Sequence, residues 1–138
     1  MKIEVINEQD SVVFDALIAG LREHKYEHMG PEETQALSVV ARDEDDKIIA
    51  GVSGQTIYRN FLIDVVWVDK GTRGTGLGRR LMELAEAEAK KRGCVITQLD
   101  TLSFQAPAFY QKLGFEIVGT VAGFQGSPER YFMLKHYQ

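Results

Sequence analysis

The stretch Arg73-Gly74-Thr75-Gly76-Leu77-Gly78-Arg79-Arg80 decides how this chain is read. Before it lies Phe61 to Val68, rich in Val, Ile and aromatics; after it, Gly76 to Arg92 repeats apolar residues at Leu77, Leu81, Leu84 and Ala85. A strand therefore feeds a tight glycine turn, and the turn opens a helix. Glycines in that context let backbone N–H groups approach an anion closely, and the helix N-terminus adds a favourable dipole. Arg73, Arg79 and Arg80 supply charge for phosphate oxygens. Taken together, these features predict a pyrophosphate cradle.

The spacing narrows the ligand. A nucleotide-triphosphate loop needs Gly, four residues, then Gly-Lys; Gly71 to Gly76 has the gap, but Leu77 stands where Lys belongs. A dinucleotide fingerprint places its third glycine one residue later than Gly78. Asp100, at the end of the next strand, stands where a ribose-binding acid could lie. A dinucleotide-binding oxidoreductase domain thus stays open as an alternative.

Working outward, no linker, repeat or low-complexity tract interrupts the 138 residues, and a single domain over 1–138 is expected. Lys2 to Ile6 alternates like a first strand. Asp10-Ser11 offers a cap to a helix whose apolar residues recur at Val13, Phe14, Leu17, Ile18 and Leu21. His24 to Pro31 reads as a loop or short irregular helix. Ala36 to Ala41 and Lys47 to Tyr58 read as strands joined by the solvated acidic turn Asp43-Glu44-Asp45-Asp46. Glu86 with Lys90, and Glu88 with Arg92, sit one turn apart on what should be the exposed side of the central helix. Val95 to Leu102 is a strand, Gln105 to Leu113 a short helix, and Phe115 to Val121 and Tyr131 to His136 are the last two strands. Cys94 is expected as a small buried strand residue.

Composition closes off several function classes. With 44% hydrophobic and 26% charged residues the chain can build a core. A formal net charge of −4 argues against a nucleic-acid grip. One cysteine excludes a disulfide framework, and three histidines, two of them close together at His24 and His28, argue against metal catalysis. No apolar run approaches a membrane span, and a cytoplasmic location is expected.

Two motifs carry a family resemblance. Arg73-Gly74-Thr75-Gly76-Leu77-Gly78 matches the (Gln/Arg)-x-x-Gly-x-(Gly/Ala) cofactor motif, and Phe109-Tyr110-Gln111-Lys112-Leu113-Gly114-Phe115 matches a second signature in the right order. The chain resembles the GNAT superfamily of acyl-CoA-dependent N-acetyltransferases. The resemblance implies an α/β fold with a mixed, mostly antiparallel sheet of six or seven strands and helices on both faces. It also implies acetyl-CoA as co-substrate and transfer of an acetyl group to an amine by direct attack in a ternary complex.

By that resemblance the backbone of Gly74, Thr75, Gly76, Leu77, Gly78 and Arg79, with Arg73 beside it, holds the pyrophosphate. Val66, Trp67 and Val68 pair with the pantetheine arm where their strand splays from its neighbour. Ser103 falls near a position that is often Asn in the family. Tyr110 matches the general acid that protonates the departing thiolate. Gly76→Val is expected to abolish cofactor binding without unfolding the chain.

Asp64 interrupts an apolar strand, and an unpaired buried charge is costly. It is therefore either the carboxylate that receives the amine proton or the structural partner of an arginine. Strict alternation puts it on one face with Val66 and Val68, and puts Ile63, Val65 and Trp67 on the other. Glu27 and His28 are candidates for the acceptor pocket, which would be formed by His24 to Glu33 and Gly123 to Glu129. The acidic balance favours a cationic small amine or a lysine side chain as acceptor. Edge strands near the C-terminus suggest a homodimer. A catalytically silent CoA-binding module is the remaining alternative.

Overall fold

The computed structural model describes residues 1–137. They divide into two compact units, Met1–Glu33 and the rest from Thr34 onward.

In the first unit, helix α1 spans Ser11–Met29. Asp10 caps it, its side chain accepting from the Val13 amide at 3.1 Å, and its carbonyl accepts from Phe14 at 3.0 Å. The helix does not break at His24. It runs to Met29 and stops where Gly30 takes a φ of 80° and donates to the Tyr26 carbonyl. No Gly or Pro lies between His24 and Met29, so polarity alone does not end the helix. Lys2 to Ile6, expected as a strand, forms no regular structure. Its alternation is necessary for a strand but supplies no pairing partner for its amides.

The second unit is a six-stranded sheet: β1 (Gln35–Arg42), β2 (Ile48–Ile57), β3 (Asn60–Val68), β4 (Ile96–Leu102), β5 (Glu116–Val121) and β6 (Arg130–His136). The spatial order is β1-β2-β3-β4-β6-β5, and only β3 with β4 is parallel. This mostly antiparallel order is not the doubly wound parallel sheet of a dinucleotide-binding domain, which sets that alternative aside. The acidic turn is the hairpin expected: Asp43 Oδ1 accepts from the amides of Asp45 and Lys47.

Helix α2 (Leu77–Lys91) and the short α3 (Pro107–Lys112) contribute to one core. Strand residues Leu37, Ala50, Val52, Phe61, Ile63, Leu99 and Met133 meet Leu81, Met82, Ala85 and Ala89 of α2 and Tyr110 of α3. Leu84, expected on the apolar face, is exposed, because Met82 and Ala89 turn the buried stripe away from it. Glu86 does not pair with Lys90. It reaches Lys135 on β6 at 2.9 Å, while Lys90 stands over the Tyr137 ring at 5.3 Å. Glu88 and Arg92 do pair, at 3.6 Å. Cys94 is buried but precedes β4 rather than lying in it, its amide closing the end of α2 on the Ala89 carbonyl. Pro107 delays α3 by fixing its first turn two residues after Gln105.

Among the described residues, no helix is long and apolar enough to cross a membrane.

Candidate active site

The sheet opens where β3 leaves β4. The two strands pair only from Asn60 with Ile96 to Leu62 with Gln98. Beyond that point the β4-facing edge of β3 has no strand neighbour among the described residues, and a cleft of about 840 Å³ fills the gap. Ile63 to Val68 form one wall, Leu99 to Thr101 the other, and α3 with the start of α2 complete it.

A bulge in β3 shapes the first wall. Ser53 of β2 pairs with Val65 and the next residue, Gly54, pairs with Ile63, so Asp64 is the extra residue. The β2 backbone has to be glycine here. A Cβ on Gly54 would collide with the Leu62 carbonyl oxygen and lie 2.9 Å from the Ile63 Cα. The bulge also overturns the alternation read from sequence. Ile63 is buried, Val66 and Val68 pack against the same core, and Val65 and Trp67 face the other way, exposed. Asp64 sits at the switch, solvent-exposed on the cleft wall, with no arginine or other side-chain partner among the described residues. The structural ion pair weighed for it is therefore not formed. Asp100, the other carboxylate in the wall, does have an arginine, Arg130 of β6.

The glycine turn closes one end of the cleft. Asp69 starts a single 3-10 turn over Lys70–Thr72, accepting from the Gly71 amide at 3.1 Å. Thr75 Oγ donates to the Thr72 carbonyl at 2.7 Å, and Arg73 Nε to that of Val68 at 3.1 Å. Gly74 and Gly76 take φ of 79° and 83°, and Gly76 is the residue before α2. The first intrahelical bond runs from Arg80 to the Gly76 carbonyl, so the amides of Leu77, Gly78 and Arg79 precede it. Among the described residues no side chain caps them, and no acid occupies the first turn. Three amides with no side-chain cap among the described residues, and Arg73 and Arg79 on the cleft lining, make this helix start a candidate anion site. Arg79 also meets Glu83 at 3.7 Å on the surface.

Gly78 does something different from its neighbours. A Cβ there would lie 3.2 Å from the Phe109 ring and 3.5 Å from Val68, so this glycine lets α2 pack against α3 and β3. Tyr110 of α3 lines the cleft while belonging to the core, 8% exposed, with edge-on contacts to Phe109 at 5.2 Å and Phe115 at 5.8 Å. Burial raises its phenol above the ordinary value, and a phenol is protonated at neutral pH even without that shift.

Most residues picked out in the sequence therefore converge: Asp64, Val66, Trp67, Val68, Arg73, Gly74, Gly76, Leu77, Gly78, Arg79 and Tyr110 all line this cleft. Thr75 and Ser103 do not; Thr75 bonds within its turn, and the Ser103 amide donates to the Glu129 carbonyl. Residues 123–129 are also absent from the lining. Gln105, which the sequence reading passed over, lines the cleft and braces its rim. Its Oε1 accepts from the Leu102 amide at 2.7 Å and from Thr101 Oγ at 3.1 Å. Its position two residues before Pro107 was the available signal.

Comparison with known proteins bears on this arrangement. A family model described as an acetyltransferase (GNAT) domain matches residues 34–117. The chain is 28% identical over 135 residues to a blasticidin-S acetyltransferase from Streptomyces morookaense, covering 97% of this chain and 95% of that one. A crystal structure of an acetyltransferase from Bacillus cereus is 28% identical with a TM-score of 0.81, covering 96% of this chain and 97% of that one. A solved chain from Agrobacterium tumefaciens, 23% identical, shares the fold at a TM-score of 0.92, covering 99% of this chain and all of that one.

Proposed function

Since the chain belongs to the GNAT acetyltransferase family, we propose that it transfers an acetyl group from acetyl-CoA to a primary amine, by direct attack within a ternary complex. The observation that carries the reading is the splay of β3 from β4, with an uncapped helix start at one end and a buried tyrosine in the cleft lining.

The residues present fit such a donor. The amides of Leu77, Gly78 and Arg79, with Arg73 and Arg79, would hold the pyrophosphate. The free edge of β3 over Val66, Trp67 and Val68 would bond an extended amide arm as an added strand. When bound, acetyl-CoA supplies a thioester carbonyl and a thiolate leaving group. Tyr110 holds its proton at the phenol oxygen and would give it up to a departing thiolate. Asp64 is the unpaired carboxylate on the same wall; it attracts the cationic form of an amine and takes its proton, directly or through water. Backbone N–H groups at the bulge are the donors for a developing oxyanion.

The acceptor is a small amine or a lysine side chain. One relative is named for blasticidin S, which belongs in the first acceptor screen.

The test is thermal unfolding with saturating acetyl-CoA, CoA and NADH. A ligand at about 100 times its Kd adds roughly 2.7 kcal/mol, enough to raise Tm by several degrees in a domain of this size. The proposal requires a shift with both CoA species. A shift with NADH alone would sink it, and a CoA shift with no turnover of any amine would leave a silent binding module.

A further inference from the structure

Helix α1 carries His24, Glu27 and His28. The spacing i, i+3, i+4 brings all three onto one face within about a turn. One ligand atom from each lies within 4.8 Å of the other two, and all three side chains are exposed. An ion can therefore reach them without any opening of the fold. Two imidazoles and a carboxylate are a donor set suited to a borderline divalent ion such as zinc.

A second observation concerns the proton on His28. Its Nδ1 lies 3.1 Å from the His24 carbonyl oxygen, and the two rings are 4.5 Å apart between centroids. A carbonyl can only accept, so Nδ1 is the donor, and in the neutral imidazole that leaves the lone pair on Nε2. That is the tautomer in which an imidazole ligates through Nε2. The carbonyl then serves as the outer acceptor that holds the ring in place.

We infer that His24, Glu27 and His28 form a surface site for a divalent ion of the zinc class, with three protein ligands and at least one coordination position open to water or an exogenous donor. The site stands on α1 alone and is independent of the acetyl-transfer reading. An ion held by residues a turn apart binds the helical form and not the unfolded one. It therefore stabilises the C-terminal part of α1 by mass action.

The test is calorimetric titration of the full chain with Zn²⁺, repeated with Co²⁺ so that the ligand field can be read from its visible absorption. The expected result is one equivalent of either ion, a cobalt spectrum of nitrogen and oxygen ligands, and slowed amide exchange centred on residues 24–29. Glu27→Gln, which removes the anionic ligand, should weaken binding measurably, and the double substitution His24→Ala, His28→Ala should abolish it. Alanine at exposed helix positions keeps the helix, so that loss reads ligation rather than unfolding. His136→Ala, at the remaining histidine, should leave the titration unchanged. The inference fails if the native chain takes up no ion at millimolar Zn²⁺. It fails equally if the double variant binds like the native chain, or if His136→Ala removes the binding.

Discussion

Tyr110 is both a core aromatic and the proposed acid, and the two roles can be tested apart. Its ring packs edge-on between Phe109 and Phe115, and the residue also lines the cleft. Tyr110→Phe keeps the ring and deletes the acid. It should lower kcat by about 10²-fold or more with little change in Tm or in affinity for acetyl-CoA; an unchanged kcat removes Tyr110 from the mechanism. Asp64 can be separated in the same way, because it is exposed on the cleft wall and has no side-chain partner among the described residues. Asp64→Asn is therefore expected to leave Tm in place and cut kcat/KM by about tenfold or more. If steady-state rates with the best amine are unaltered, the proton goes elsewhere.

At the scale of elements, the turn before α2 and the bulge in β3 set the geometry of the cleft. Gly76 holds a φ of 83°, and a Cβ placed on it meets no atom within 4 Å. Space alone would admit a side chain, but a β-branched one in this backbone region costs about 1–3 kcal/mol. The expectation that Gly76→Val spares the fold therefore needs revision, since part of any effect would be strain. Asn tolerates the left-handed conformation and makes the cleaner test. Gly76→Asn should hold Tm within a few degrees and weaken CoA binding by about tenfold, ~1.4 kcal/mol. Normal binding, measured by calorimetry, would show the anion cradle to be misplaced. The bulge is a longer-range matter. The turn glycines follow a strand and precede a helix in the chain, so their role is readable in sequence. Gly54 is ten residues upstream of Asp64, and its need to be glycine arises only when β2 lies against Leu62 and Ile63.

Over the whole molecule, Tyr137 is expected to contribute to the pH dependence of stability in alkali, alongside the burial-raised Tyr110. Its hydroxyl bonds Thr97 on β4, and burial pushes its phenol up to about 12. An unfolded tyrosine ionises near 10, so between the two values the folded state retains a proton that the unfolded state has lost. The contribution is complete below about pH 10 and is lost as pH rises toward about 12. Urea midpoints measured across that range should fall, and Tyr137→Phe should flatten the fall. Equal slopes for the two proteins would mean that other groups carry the alkaline transition.

The sequence by itself determined the cofactor-like turn, the strand and helix identities from Ala36 onward, and the candidacy of Tyr110 and Asp64. Each of these rests on residues within a few positions of one another: glycines beside a helix start, an aromatic motif, one carboxylate in an apolar run. Local sterics and periodicity act over such distances. Tertiary structure alone decided which way Asp64 points, that Glu86 chooses Lys135 over Lys90, that Leu84 is left outside the core, and that Lys2 to Ile6 stays unpaired. In each case the deciding neighbour is far away in the chain or has to exist before pairing can occur. A β-strand face, a cross-sheet ion pair and a buried helix stripe are properties of contacts, and the contacts form only when the sheet is assembled.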